Sequence, residues 1–148
     1  MIRKQIVRSL AVLSLGLATF ALAADFGTAA EAKAMLEKAV VALKANQASA
    51  LSMFTKGEGG FKDRDLYPFC GGPDGMFTAH PSLVGKSLKD LKDKSGKALG
   101  EDIYKSAQEG KITEVSYMWP RPGTTDPVQK VSFVTKVGNQ VCAVGYYK

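Results

Sequence analysis

The chain has 148 residues, 45% of them hydrophobic and 23% charged, with a formal charge of +6. That length suits one domain, and the composition excludes a disordered, collagen-like or polytopic membrane chain. The positive charge does not point to nucleic acid, because Arg3, Lys4 and Arg8 stand together ahead of an apolar run, Leu10 to Ala24.

Basic residues, an apolar run and the small residues Ala21-Leu22-Ala23 follow one another as in a secretory signal peptide, predicted over residues 1–23 with cleavage between 23 and 25. An uncleaved membrane anchor would want about 20 apolar residues, and this run is shorter. Without the leader, 17 of the 20 basic residues remain against 14 acidic ones, a formal +3. No cysteine stands at the cleavage point, which excludes a lipoprotein. Residues 24–148 are therefore expected as one soluble domain in the periplasm or secreted, with no second apolar stretch to carry a signal through a membrane.

Thr28-Ala-Ala-Glu31 has the form of a capping box. Behind it Ala32, Met35, Leu36, Ala39, Val40, Leu43, Leu51 and Phe54 recur every three or four residues, interrupted only at Gln47, predicting one long amphipathic helix over 29–54. The glycines of Lys56-Gly57-Glu58-Gly59-Gly60 end it. Asp65–Cys70 and Met76–His80 flank the turn-rich Gly71-Gly-Pro-Asp-Gly75 and read as a hairpin. In its first strand Tyr67 and Phe69 share one face, and Leu66, Pro68 and Cys70 the other. Pro68 is awkward there, because proline removes a ladder donor.

Leu88–Leu91 suggests one helical turn, Lys92–Lys97 a polar loop, and Leu99, Ile103 and Ala107 a short helix stopping at Gly110. Three strands follow. Val115, Tyr117 and Trp119 alternate on one face of the first; Val128–Val137 and Gln140–Tyr147 flank Gly138-Asn139, a two-residue hairpin turn. Helices segregated from a run of strands imply an α+β domain around one antiparallel sheet.

Cys70 and Cys142 are the two cysteines. Export permits a disulfide between them, and two inert buried thiols are the alternative. There is no Cys-x-x-Cys-His for haem, and the cysteines with His80 match no zinc spacing. No cofactor and no metal are expected. Thiol redox chemistry is disfavoured by cysteines so far apart in sequence.

Asp65-Leu-Tyr-Pro-Phe, Asp74-Gly75, Ala79-His-Pro81, Leu83-Val-Gly85, Tyr117-Met-Trp-Pro120, Lys130 and Val144-Gly-Tyr-Tyr147, in this order and spacing, resemble the single Cache domain of bacterial chemoreceptors and histidine kinases. The resemblance covers about Ala32 to the C-terminus. It implies a PAS-like (profilin-like) five-stranded antiparallel sheet of order 2-1-5-4-3, a long N-terminal helix on one face and a small pocket on the other. The first and fifth strands would then be antiparallel neighbours, with Cys70 and Cys142 opposite each other. The implied function is sensing of a small metabolite, most simply a short carboxylate. An output partner is implied too: a membrane receptor, a kinase or a second copy. Pro68 and Cys70 depart from the apolar β-formers usual at their positions.

The resemblance directs Tyr67, Phe69, His80, Tyr117, Trp119 and Lys130 toward the pocket. Aromatics with polar tips suit a small polar ligand, although the same rings serve equally well as sheet core. Lys130 inside a pocket would need an anion, since an unpaired buried charge is costly; a solvated lysine is the bland alternative. The competing functional reading is a small exported enzyme using the same pocket, with His80 as acid/base. No Ser/His/Asp or Cys/His arrangement and no phosphate loop accompanies that histidine.

Overall fold

The computed structural model describes residues 25–148, so the predicted leader and its cleavage point lie outside the described residues. Helices α1 (Ala29–Ala45) and α2 (Gln47–Lys56) precede strands β1 (Pro68–Gly71) and β2 (Phe77–Ala79). Helix α3 (Leu99–Ser106) then leads into β3 (Thr113–Pro120), β4 (Pro127–Val137) and β5 (Gln140–Tyr147). All strand pairs are antiparallel, and the sheet order is β2-β1-β5-β4-β3. This is the α+β architecture and strand order expected. No described helix is long and apolar enough to cross a membrane.

The long helix is two helices. Thr28 and Glu31 form the expected capping box, Thr28 Oγ1 accepting from the Glu31 N–H and Glu31 accepting from the Thr28 N–H. At Asn46 the backbone turns extended, with φ −161°. Its N–H closes α1 on the Ala42 carbonyl, while its side chain caps α2 by accepting from the Ser49 N–H. Asparagine competes with the helix through its own side chain, which the apolar periodicity does not register. The break lets Ala50 and Phe54 join Leu36, Ala39 and Leu43 in one core cluster against the sheet. Gly57 ends α2 with φ +69°, where glycine alone is unstrained.

Pleating divides the sheet residues between two cores. Leu66, Cys70, Phe133, Cys142 and Val144 face the α1–α2 side, whereas Tyr67, Phe69, Tyr117, Val134 and Ala143 face α3 and the long connection before it. Pro68 is tolerated because it is the first residue of β1. The strand starts later than expected and irregularly shifts register between Cys70 and Gly71. Cys70 lies directly opposite Cys142 on β5, and the two are joined by a disulfide.

The segment over the second face is held as turns. Leu88–Leu91 closes by a Leu91 N–H to Leu88 carbonyl bond rather than a helix. Gly100 lets α3 press on that turn, since a Cβ there would meet the Leu88 carbonyl. Asp93 anchors the loop that follows. One carboxylate oxygen accepts from the Ser95 and Lys97 N–H groups and the Ser95 hydroxyl, and the other from the Met118 N–H of β3. Burial alone would raise the Asp93 pKa, but these donors outweigh it and hold it at about 2. Asp93→Ala should therefore cost roughly 2–3 kcal/mol at pH 7 by leaving buried donors unpaired. The stabilisation is present above the ordinary carboxylate pKa of 3.8 and lost as pH falls toward about 2. Urea midpoints of wild type and variant should thus converge over that interval.

Candidate functional site

All six residues singled out in the sequence surround one cavity on the α3 side of the sheet. Alternation places Tyr67 with Phe69, and Tyr117 with Trp119, on the same face. His80 enters just after β2, and Lys130 rises from β4. Leu88, Leu91, Leu99 and Ile103 complete the lining as a roof. The enclosed space is about 10 Å³, room for about one water.

Lys130 is 1% exposed. Its stem crosses β5 at Gly145, where a Cβ would collide with Lys130 Cε and Ser132 Oγ. Its Nζ donates to Tyr67 Oη at 3.1 Å and lies 4.4 Å from the Tyr67 ring centre and 4.8 Å from that of Tyr147. No acidic side chain lines the cavity. Asp65 acts on Lys130 through space, favouring the charged form, but makes no ion pair with it. Burial dominates and lowers the ammonium pKa to about 7.

The hydroxyls around Lys130 are paired. Tyr147 donates to the Pro120 carbonyl at 2.9 Å, and its hydroxyl also interacts with that of Tyr67. Burial pushes the Tyr67 pKa up to about 12, so the phenol stays protonated at neutral pH. Tyr67 therefore accepts from Lys130 as a neutral phenol. The Tyr117 hydroxyl pairs with the Ser132 hydroxyl at 2.8 Å, and either oxygen can donate. His80 accepts the Ser82 N–H on Nδ1, which leaves its proton on Nε2. Burial, and then the Lys130 charge, lower its pKa to about 4, so the imidazole is neutral at pH 7. The ring packs edge-on against Tyr67 and Phe77. The cavity lining holds no serine, threonine, cysteine or carboxylate for His80 to activate.

Three participants escape a residue-by-residue reading. Tyr147 pairs with Lys130 across β4 and β5, a register that strand alternation alone does not supply. Asp65 accepts the Gly27 N–H on Oδ1 at 2.7 Å, while its buried Oδ2 has no hydrogen bond and lies 3.7 Å from Arg121 Nε. The Arg121 guanidinium rests 4.3 Å from the Phe26 ring centre and 5.2 Å from that of Tyr147. These contacts join residues distant in sequence, and no local pattern announces them.

A sequence profile of the Cache domain matches residues 31–146. The chain is 32% identical over 59 residues to the methyl-accepting chemotaxis protein McpP of Pseudomonas putida, covering 40% of this chain and 11% of that protein. It thus spans about a tenth of the length of that curated relative. A crystal structure of a methyl-accepting chemotaxis protein from Vibrio parahaemolyticus superposes with a TM-score of 0.65 at 26% identity, covering 80% of this chain and 86% of that one. The periplasmic sensor domain of a chemotaxis protein gives 0.60 at 24%, over 78% of this chain and 86% of that one. A Cache chemosensory domain described for carboxylic acid recognition gives 0.55 at 24%, over 78% and 84%. At that identity the last two speak for the fold alone.

Proposed function

The chain belongs to the Cache domain family, and on that premise we propose that it is an extracytoplasmic sensor domain that binds a short carboxylate, with Lys130 as charge partner. The observation that carries this reading is a fully buried ammonium in a cavity with no acidic lining. Such a cation is costly without an anion and gains a charge-assisted hydrogen bond when one arrives. The His80 Nε2–H is the second donor, neutral and therefore free of competition for the negative charge. A ligand of two or three carbons needs more than a one-water space, so its entry requires the lining side chains to move apart. Export by the leader of residues 1–23, and transfer of the signal to a membrane receptor, a kinase or a second copy, complete the proposal. The relatives are named as chemotaxis proteins, and the cavity lining supplies no hydroxyl of serine or threonine, thiol or carboxylate for His80 to activate, so a binding role is favoured over a hydrolase built on His80.

A thermal-melting screen of two- to six-carbon carboxylates and amino acids tests it. Ligand at about 100 times its dissociation constant stabilises by about 2.7 kcal/mol, a shift of several degrees at roughly 2–8 °C per kcal/mol. No shift with any acid in the set would overturn the carboxylate assignment.

The pH dependence follows from Lys130. Below about pH 7 the lysine is already charged, and affinity should be flat until the ligand itself protonates. Above it, binding requires proton uptake, and affinity should fall about tenfold per pH unit. Calorimetry at pH 8 in two buffers of different ionisation enthalpy should register that proton. Identical heats in both would exclude Lys130 as the titrating partner.

A further inference from the structure

Beyond the inner cavity lies an outer groove of about 600 Å³, between the end of α2 and the β3–β4 loop. That volume falls in the roughly 300–1,000 Å³ range of small-molecule sites. Tyr67, His80 and Trp119 line both spaces, so they form a partition with one surface toward Lys130 and another toward the groove. We infer that this groove is a second ligand site, for an aromatic carboxylate too large for the inner cavity.

Charge comes first. Lys56, Lys62 and Arg121 line the groove, and no aspartate or glutamate does. The Arg121 guanidinium makes no hydrogen bond among the described residues, and its one acidic partner, Asp65, pairs with it through Nε alone, at 3.7 Å. Its terminal N–H groups are therefore available to a carboxylate, in the forked geometry that arginine offers. The C-terminal end of α2 would oppose an anion through its carbonyls. Two of those carbonyls, of Phe54 and Met53, are taken by the Gly57 and Glu58 N–H groups, and the Lys56 ammonium in the last turn offsets the rest. The net field in the groove favours an anion.

The rest of the wall selects the anion's body. The indole of Trp119 and the pyrrolidine rings of Pro81, Pro120 and Pro122 offer apolar faces against which a planar ring packs. Inorganic phosphate or sulfate would gain nothing from them. The inner cavity, at about 10 Å³, has no space for a ring. This inference does not depend on what occupies the inner cavity.

Trp119 is the single tryptophan of the chain, so intrinsic emission reports the groove directly. Titration of the purified protein with benzoate should give a saturable emission change. The double variant Lys56→Glu/Lys62→Glu, altered at two exposed positions, should weaken benzoate by about tenfold and keep the wild-type melting temperature. Lys130→Met should bind benzoate as wild type does. Raised ionic strength should weaken the interaction in wild type and much less in the double variant. Absence of a saturable change would overturn the inference. So would loss of benzoate binding in Lys130→Met with retention in the double variant, which would place the ring in the inner cavity. Acetate titrated against the same proteins reads the inner cavity separately, so the two assignments fail independently.

Discussion

Lys130→Met should raise the melting temperature of the unliganded protein and, at the same time, abolish its response to a carboxylate. Methionine matches the length of the lysine stem, follows the same path over Gly145 and removes a charge that nothing in the cavity neutralises. Replacing buried ionic groups by well-packed hydrophobes is commonly neutral or stabilising by about 1–4 kcal/mol. Tyr67 loses only an incoming hydrogen bond, so the change orphans no buried donor. The sign of the pH dependence is fixed by the lowered pKa. Between about 7 in the folded state and 10.5 in the unfolded one, the unfolded chain holds the extra proton, and wild-type stability rises with pH. The variant lacks that slope, so its advantage should be largest below pH 7 and shrink as pH rises through this window. Differential scanning calorimetry at pH 6, 8 and 10 with and without acetate measures both effects. A variant less stable than wild type at pH 6, or one that still responds to the ligand, would remove Lys130 from the site.

Loss of the Cys70–Cys142 bridge should be the most damaging change outside the cavity. The bond joins residues 72 apart in sequence, and the chain-entropy treatment assigns about 4 kcal/mol to a loop of that length, with measured bridges at about 2–5. Both cysteines are fully buried in the helix-side core, so Cys70→Ala/Cys142→Ala also leaves small voids beneath α1. The expected result is a urea midpoint lowered by most of the protein's stability margin, given that domains rarely exceed about 5–15 kcal/mol. Burial has a second effect. Reductant should leave the native bond intact in the cold and act only as the protein opens, lowering the apparent melting temperature. Thiol titration of the oxidised, urea-unfolded protein should find none. Two free thiols, or an unchanged midpoint in the alanine variant, would contradict the assignment.

What could be read from the sequence follows periodicity and order. Alternation assigns Tyr67 and Phe69 to one face and Leu66 and Cys70 to the other, and the two cores divide them in that way. The capping box at Thr28 and the Gly138-Asn139 turn are local chemistry and are found where expected. The strand order was an implication of family resemblance, since local pattern cannot choose among the ways five strands pair. The helix break at Asn46 has two local marks, the interruption of the apolar stripe at Gln47 and the capping capacity of the asparagine side chain, and the stripe that resumes at Leu51 hides both. The Leu88–Leu91 turn has helical spacing but no length to support a helix. Tyr147 and Arg121 entered the site through sheet register and loop packing, which involve partners far away in sequence. The closeness of the cavity, with space for one water, depends on how ten or so side chains fill a volume, and no single position encodes it.

Asp65 also gives the cavity a mechanical side. Residues 26 and 27 lead into α1, and they are fastened at Asp65 by the Gly27 N–H and at Arg121 by the Phe26 ring. Arg64 adds a third tie, donating to the Phe26 carbonyl and bridging to Glu31. A pull on this segment is therefore borne at a residue whose carboxylate helps set the charge of Lys130, and which stands two positions before Tyr67. The segment before α1 and the cavity therefore share one carboxylate, which anchors the chain at Gly27 and contributes to the field at Lys130.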